Sequence, residues 1–409
     1  MDSKTKNDLL LYCLGIGTDI IEPPKLENLS TDDWAEIIQH SINHGVSPLL
    51  YHRFRITSMS AHVPDGVMQK LERLYIYQAG KNTLLYHELS KVLRILQNNS
   101  IPVIVLKGAV LAGLIYQNIA LRPMCDVDLL IKSKDIWMLD KALTQLGYKS
   151  DLASLLSKQH MHWTQHIKYT NGVIFIEVHP KIYELPDINP WVNAFPTTVA
   201  SANTLMLSYE VLLLHLCLHV DRHLRVDRHL HKESVIGSKL IWLCDIAEVL
   251  RRYQDELDWN YLIEMAKMHN VEVAIYHILH VVNEWFGKYV PANVFSQLKN
   301  EGDTISIYNA LCFRNNPSEG QGQSNNQDQK LNSFLFSISK VPLVHNKIYH
   351  VLRSIFPRVD YMIHHYSVTH PNRVFFYYFI RIGEVTLKAI IALCRLPNYI
   401  KSSKRLAKF

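Results

Sequence analysis

Two acidic side chains mark the place in this chain where chemistry is most clearly indicated. Asp126 and Asp128 open the apolar run 126–131 (DVDLLI) and stand two residues apart. On a β-strand, residues at this spacing point to the same face of the sheet. Neighbouring carboxylates repel each other, and a divalent cation between them is the usual compensation. The pair therefore predicts a metal site, with two solvated aspartates at a strand end as the alternative.

Two further features lie around this pair. Lys107-Gly108 stands after a predicted strand and before a predicted short helix, where backbone N–H groups can hold phosphate. Glu177 lies in a later apolar strand, where an acid needs a partner. Three carboxylates on neighbouring strands beside a phosphate-binding turn form the two-metal arrangement used for in-line phosphoryl transfer.

Basic side chains near these carboxylates are candidates for binding phosphate. Lys107 and Arg122 flank the predicted site in sequence, and the arginine fork suits bidentate contact with phosphate oxygens. Anchoring of the neighbouring strand is the alternative role for Arg122. His179 follows Glu177 by two residues and shares its strand face, so it is an acceptor-side candidate or an interior histidine with a structural hydrogen bond.

The helical half of the chain adds four candidates. His215 and His219 are four residues apart on an apolar helix and therefore share one face. Packing in the core is the interpretation that the apolar helix favours. A place near the nucleotide or the acceptor is the functional alternative, and a metal pair is less favoured because no glutamate lies between the two histidines. Trp242 and Asp245 are three apart on the next helix, where the indole can stack on a base and the carboxylate can accept a hydrogen bond. Plain helix packing is the alternative for this tryptophan.

Periodicity and turn signals predict the elements that must position these residues. The strands fall at 101–106, 126–131, 165–170 and 173–179, and the turn Asn171-Gly172 joins the last two as a hairpin. Helices are predicted at 67–98, 109–116, 135–146, 208–220, 238–253, 258–269 and 271–287, with another starting near Thr31. The predicted organisation is an N-terminal helical region (1–100), a catalytic core (101–200), a helical domain closing the cleft (201–314), a flexible linker (315–330) and a basic C-terminal helical segment (331–409).

Several motifs together resemble the nucleotidyltransferase superfamily with the DNA polymerase β-type palm. They are strand-LKG-helix (Leu106 to Gly108), RPMCDVDLLI (122–131), helix-GY (147–148) and a strand carrying an acid and a histidine (Glu177, His179). More narrowly, the chain resembles the bacterial uncharacterised nucleotidyltransferase family over about residues 30–300. The segments that carry this narrower resemblance are 34–50 (WAEIIQHSINHGVSPLL), 214–219 (LHLCLH), 240–247 (LIWLCDIA) and 258–259 (DW).

The resemblance implies a fold and an activity. The fold would be α+β, with a small mixed sheet as the palm, N-terminal helices and a helical C-terminal half. The activity would be transfer of a nucleoside monophosphate from an NTP to an unidentified hydroxyl or phosphate acceptor, with release of pyrophosphate. A non-catalytic nucleotide-binding or membrane-surface adaptor on the same fold is the alternative.

The resemblance also implies roles for individual residues. Asp126 and Asp128 would bind Mg²⁺ or Mn²⁺ and, through it, the triphosphate, while Glu177 would complete the metal site and help to deprotonate the acceptor. Gly108 and the Ala109 amide would contact phosphate. The chain departs from the usual superfamily pattern in two places, since serine commonly follows the glycine and aspartate is commonly the third acid.

Composition and charge limit the classes of molecule that this protein is expected to bind. The chain has 409 residues, 48% hydrophobic and 20% charged, with six scattered cysteines and no CxxC pair, which is typical of a globular cytoplasmic protein. The net charge of +6 is concentrated: residues 341–409 contain eleven Lys and Arg against two acids, a net +9, so the rest carries −3. This distribution argues against a general nucleic-acid surface. We expect a small molecule, a peptide or a protein as the acceptor, and a nucleic acid such as RNA is the less favoured alternative. The basic tail could dock at the inner surface of an anionic membrane or pack on the helical domain.

Overall fold

The computed structural model describes residues 3–16, 26–150, 152, 166–185, 188–230, 240–298 and 377–378, with side chains of the helix at 209–230 described to residue 224. Clustering of contacts gives one unit of residues 1–225 and 234–316 and a second of residues 226–233 and 317–409. The predicted linker (315–330) and nearly all of the basic segment (331–409) lie outside the described residues. The predicted domain boundaries therefore stay predictions.

One seven-stranded mixed sheet forms the centre of the first unit, and its strand order is β3-β4-β5-β2-β1-β7-β6. Strand β1 pairs antiparallel with β2 and parallel with β7, and β2 pairs parallel with β5. The fold is α+β, as predicted. The strands are β1 (Val103–Leu106), β2 (Val127–Ile131), β3 (Lys149–Ser150), β4 (Ile167–Thr170), β5 (Phe175–His179), β6 (Phe195–Val199) and β7 (Ala202–Met206).

Burial explains the order of the central strands. Every residue of β1 and β2 is buried, and all of them are apolar except Asp128. The β4–β5 hairpin predicted from Asn171-Gly172 is present, with Gly172 at φ +83°. Strand β4 alternates between buried and exposed positions, as a strand nearer the edge does.

The β6–β7 hairpin was not predicted from the sequence. Its turn residues Ala200 and Ser201 both have positive φ, 50° and 56°, a conformation in which Asn-Gly is the usual signal. Pro196 lies in β6 opposite Leu205 and has no amide hydrogen to donate, which fits the position of β6 at the edge of the sheet. The two-residue strand β3 at the opposite edge was also missed.

Eleven α-helices are defined within the described ranges. They are α1 (Ser3–Leu14), α2 (Thr31–Asn43), α3 (Ser47–Ile56), α4 (Asp65–Asn98), α5 (Lys107–Val110), α6 (Ile136–Gln145), α7 (Tyr209–Leu230), α8 (Leu240–Tyr253), α9 (Trp259–Met268), α10 (Glu272–Phe286) and α11 (Ala292–Leu298). Short 3₁₀ turns occupy Leu26–Asn28, Ser58–His62 and Ser133–Asp135.

Local sequence explains where several helices begin and end. Ser30 and Asp33 form a capping box at the start of α2, and Asp258 caps α9 by accepting from the Tyr261 amide. Gly147 follows α6 at φ +82°, as predicted for its C′ position. The long α4 buries one largely apolar stripe, from Leu71 to Leu96.

The segment after β1 differs from the single helix predicted at 109–116. It is the short helix α5 followed by a π-helical turn at Leu111–Ile115. This wider turn occurs directly after the predicted phosphate-binding residues, and π-helical turns are frequent at functional sites. No helix in the described part of the chain is long and apolar enough to cross a membrane.

Candidate active site

The predicted carboxylates meet on two hydrogen-bonded parallel strands. Asp128 of β2 and Glu177 of β5 are direct partners in the strand register. Oxygen atoms of these two side chains and a ring nitrogen of His179 all lie within 4.8 Å of one another. Asp126 stands one residue before β2 and outside this group of three, on the same side of the strand by the two-residue period.

Asp128 is buried and contacts two basic side chains. Its Oδ1 lies 2.7 Å from His179 Nε2 and accepts from Lys107 Nζ at 3.3 Å. Burial alone would raise the pKa of the Asp128 carboxyl, but the charge of Lys107 and the contact with His179 outweigh burial and hold the pKa well below its usual range. Asp128 is therefore ionised at neutral pH.

Asp126 shows the opposite electrostatic behaviour. Burial raises the pKa of its carboxyl, and the negative charges of Asp128 and Glu177 raise it further. The three acids are thus close enough to repel one another. A cation bound among them would relieve this repulsion, as the sequence motif predicts.

Glu177 has basic neighbours that the sequence analysis did not identify. His166 Nε2 lies 3.4 Å and Lys168 Nζ 3.5 Å from Glu177 Oε1. Lys168 is the register partner of Glu177 across the β4–β5 hairpin. A two-residue turn at Asn171-Gly172 would have paired Glu177 with His166. The loop is two residues longer, with Thr170 opposite Phe175, and the register partner of Glu177 is therefore Lys168.

Lys107 reaches Asp128 from an unusual backbone conformation. Its φ is +45°, in the left-handed region that a non-glycine residue adopts only at a cost of order 1 kcal/mol. The turn brings the Lys107 amine to Asp128 and begins α5, whose first residues include Gly108 and Ala109. Tyr86 of α4 donates to the Ala109 carbonyl at 2.5 Å and fixes this short helix from behind.

Gly108 has no room for a side chain. A Cβ atom there would lie 2.6 Å from Arg122 Nη1 and 3.0 Å from Met124 Cγ. The glycine is therefore required by the arginine that packs over it. The close packing brings Arg122 to the backbone of the predicted phosphate-binding turn.

Arg122 and Asp245 form a buried ion pair with each other. Arg122 Nη2 donates to Asp245 Oδ2 at 2.7 Å, and Nε lies 3.2 Å from both carboxylate oxygens. Tyr116 donates to Asp245 Oδ1 at 3.0 Å.

The loop before β2 is also held by α4. Asn82 of α4 donates to the carbonyl of Arg122 at 2.9 Å and also to that of Ile119. The loop before β2 is thereby fixed to both α4 and α8, and the predicted nucleotide contacts of Arg122 and Asp245 stay predictions.

A cleft of about 410 Å³ opens beside these residues. Glu184 lies at its wall, with Oε1 3.2 Å from Arg222 Nη1 and Oε2 3.6 Å from His215 Nδ1. The residues that line the cleft are Leu106, Lys107, His166, Glu177, His179, Lys181, Ile182, Tyr183, Glu184, His215 and Arg222. Of the histidines predicted for the acceptor side, His179 and His215 are brought together here.

His219 and Trp242 contact each other near this cleft without being among its lining residues. Their ring centroids are 5.0 Å apart in an edge-to-face arrangement, and the ring of His223 lies 4.6 Å from Trp242. Burial lowers the pKa of His219 well below its usual value. The indole is thus packed between two helices, and its predicted stacking on a base stays a prediction.

The ligand atoms that the site offers are those that a divalent cation needs. Asp128 and Glu177 offer carboxylate oxygens, the ligands that Mg²⁺ and Mn²⁺ prefer, and His179 adds an imidazole nitrogen that suits Mn²⁺ better. The mutual repulsion at Asp126 is the electrostatic condition that a cation would relieve. The residues present therefore fit a divalent cation.

An α+β fold with a mixed sheet, a glycine turn after its first strand and paired carboxylates on adjacent strands defines a nucleotidyltransferase-type protein. A family model described as "Uncharacterised nucleotidyltransferase" matches residues 30–287, well over half of the chain. The chain belongs to this family.

Two solved structures of an antibiotic-resistance factor, ANT(2'')-Ia, are similar to this chain. The solution structure has a TM-score of 0.34 at 13% identity and covers 49% of this chain and 98% of its own. The crystal structure with adenylyl-2''-tobramycin has a TM-score of 0.28 at 15% identity and covers 41% and 98%. No curated protein matches the chain.

Proposed function

We propose that this protein transfers a nucleoside monophosphate from an NTP to a hydroxyl or phosphate acceptor and releases pyrophosphate, in a reaction that depends on Mg²⁺ or Mn²⁺. The observation that supports this most strongly is the direct register of Asp128 and Glu177 on adjacent parallel strands, with the amine of Lys107 on Asp128. Membership of the nucleotidyltransferase family supports the same reaction class.

The triphosphate is bound by the turn that follows β1. Lys107 moves from Asp128 to the phosphate oxygens, and the amides of Gly108 and Ala109 donate to them at the start of α5. Arg122 and Asp245 hold this turn in place and complete the nucleotide side of the site. Trp242 provides an apolar surface for the base.

The carboxylates Asp126, Asp128 and Glu177 hold the cation. When bound there, a divalent cation polarises the α-phosphate and offsets the charge of the leaving pyrophosphate. His179 keeps Asp128 oriented through its 2.7 Å contact. Glu177 faces the acceptor side, where His179, His215 and His219 contribute to acceptor binding.

The charge distribution of the chain also bears on its acceptor and its cellular location. The acceptor is a small molecule, a peptide or a protein, since the −3 charge outside residues 341–409 does not favour nucleic acid. We place the protein in the cytoplasm. Its basic tail would contact the inner membrane surface peripherally, through the positive charge of residues 341–409.

The test is release of pyrophosphate from each of the four NTPs in the presence of Mg²⁺ or Mn²⁺, with mass spectrometry of cell lysate incubated with α-labelled NTP to identify the acceptor. The proposal expects one NTP to support metal-dependent release. Metal-dependent NTP binding without pyrophosphate release across the acceptor screen would favour a non-catalytic nucleotide-binding protein.

A further inference from the structure

A buried imidazole on the acceptor side of the cleft takes no chemical step in the reaction outlined so far. His215 of α7 is 3% exposed, and neither ring nitrogen has a hydrogen-bond partner among the residues the structure describes. A buried polar atom without a partner is costly, typically about 1–3 kcal/mol. Because His215 also lines the cleft that Lys107 and Glu177 line, a bound molecule is the natural partner for its unpaired nitrogen.

The two nitrogens of His215 have different surroundings. Nδ1 faces Glu184 Oε2 at 3.6 Å, close enough for the carboxylate to favour a proton on Nδ1. Glu184 is itself fixed, because Arg222 Nη1 lies 3.2 Å from its other oxygen. A proton on Nδ1 leaves Nε2 with a lone pair. Nε2 has no hydrogen-bond partner among the described residues, so its lone pair is available to accept a proton from a bound molecule.

The charges around His215 keep the ring neutral before the reaction. Burial lowers the pKa of His215, and the positive charge of Lys107 lowers it further, while Glu184 and Asp128 oppose them. Burial also lowers the pKa of His219, which lies on the same face of the helix. A neutral imidazole beside a carboxylate is suited to general base catalysis, because the carboxylate stabilises the imidazolium once it forms.

Resting on the proposed nucleotidyl transfer, we propose that the acceptor group is a hydroxyl and that His215, positioned by Glu184, accepts its proton. The acceptor oxygen forms a bond to the α-phosphorus, its proton passes to Nε2 of His215, and the bond from the α-phosphorus to the bridging oxygen breaks. Pyrophosphate leaves with that electron pair. A phosphate acceptor is already largely ionised at neutral pH and needs no such base.

Glu177 and His215 then have different roles: Glu177 binds the cation, and His215 accepts the proton. Glu177 lies near both His166 and Lys168 and is a member of the group that fits the cation. Glu177 therefore acts first as a ligand of the cation. His215 belongs to α7, outside the group that fits the cation, and offers a base that is not one of the proposed metal ligands.

The first test uses the full-length protein with Mg²⁺ and the NTP that releases pyrophosphate fastest, and water, glycerol and inorganic phosphate as acceptor probes. His215→Ala is expected to lower release with water or glycerol about 100-fold or more, since a general base commonly contributes 10²–10⁴. Added imidazole is expected to restore part of the rate in His215→Ala. Glu184→Gln is expected to give an intermediate loss that imidazole does not restore.

The matched control is His277→Ala, which removes a buried histidine of α10 that is not among the cleft-lining residues. Its rate is expected to stay within about twofold of wild type, with no response to imidazole. If His215→Ala keeps the wild-type rate while Asp128→Asn abolishes it, the role of His215 is overturned and the proposed function stands. If Asp128→Asn also keeps the rate, the proposed function itself fails.

A second readout does not depend on turnover. Nitrogen NMR of the histidine rings, with His215 assigned from His215→Ala, is expected to show a neutral ring protonated on Nδ1 at pH 7, and protonation on Nδ1 is expected to be lost in Glu184→Gln. A proton on Nε2 at pH 7 would overturn the proposal. So would phosphate-dependent formation of nucleoside diphosphate and pyrophosphate that exceeds the hydroxyl reactions and does not change in His215→Ala.

Discussion

The guanidinium of Arg122 and the carboxylate of Asp245 are 123 residues apart in the chain and form a buried, two-pronged ion pair, with the Arg122 side chain 11% and the Asp245 side chain 1% exposed. The same guanidinium packs over Gly108. Asp245 of the helical half therefore supports, through one arginine, the backbone turn that is proposed to bind the triphosphate.

Asp245→Asn leaves the buried charge of Arg122 without its partner. Removing one member of a buried pair typically costs about 3–5 kcal/mol, so we expect a fall of this size in the free energy of unfolding, measured by denaturant titration. We also expect weaker binding of Mg²⁺·NTP at a temperature where the variant is folded. The control Glu248→Gln removes an exposed partner of Arg251 on the same helix and should cost less than about 1 kcal/mol. Equal effects of the two substitutions would contradict the assigned role.

Gly108→Ala introduces a Cβ atom 2.6 Å from Arg122 Nη1. The arginine is held by Asp245 and cannot move away freely, so we expect a loss of about 1–3 kcal/mol in stability together with weakened NTP binding. Gly80→Ala is the control, because a Cβ atom there, within α4, has nothing within 4 Å. It should stabilise the protein by about 0.5–1 kcal/mol.

The clash at Gly108 can be tested by a double-mutant cycle. Arg122→Ala removes the atom that Gly108→Ala would meet, so the stability cost of Gly108→Ala should be much smaller in the Arg122→Ala background. Additive costs for the two substitutions would show that Arg122 does not constrain the turn.

Lys107→Gln is expected to have opposite effects on metal binding and on nucleotide binding. Lys107 Nζ lies 3.3 Å from Asp128 Oδ1, where it competes with a cation for the carboxylate. Its loss should therefore strengthen binding of Mn²⁺ alone several-fold and weaken binding of Mn²⁺·NTP at least tenfold, as paramagnetic titration and calorimetry would measure. Lys91→Gln, in which the lost amine pairs with Glu88 away from the site, should change neither. If Lys107→Gln weakened the binding of Mn²⁺ alone and of Mn²⁺·NTP to the same extent, competition between Lys107 and the cation at Asp128 would be contradicted.

Alkylation of the cysteines should report occupation of the site. Cys125 is exposed and precedes Asp126, whereas Cys13, Cys217 and Cys244 are buried. Burial raises the pKa of the Cys13 thiol to about 12 and raises those of Cys217 and Cys244 as well, which suppresses their reactive thiolates. We expect iodoacetamide to label Cys125 first among these four in the native protein and Mg²⁺·NTP to slow that labelling, as peptide mass spectrometry would show. Labelling of a buried thiol before Cys125, or no protection by nucleotide, would contradict the placement of the site.

The sequence allowed the strands that carry Asp128 and Glu177 to be predicted, because local patterns determine them. Strand periodicity placed Asp128 on one face, the apolar run around Glu177 indicated a second strand, and Asn171-Gly172 fixed the hairpin that carries it. The Arg122–Asp245 pair could not be predicted, since no local pattern relates residues so far apart in the chain. The β6–β7 hairpin was missed because Ala200 and Ser201 adopt a turn that asparagine and glycine normally signal.

The central claim is that the acids on β2 and β5 carry metal-dependent nucleotidyl transfer. Its most direct test is the rate of pyrophosphate release from the four NTPs with Mg²⁺ or Mn²⁺, compared between wild type and Asp128→Asn, with an unfolding curve of each protein. We predict release in the wild type that stops when the metal is chelated and falls about 100- to 1,000-fold in Asp128→Asn, on the order expected when a charge-stabilising group is lost, while the variant remains folded. Undiminished release by folded Asp128→Asn would contradict the account.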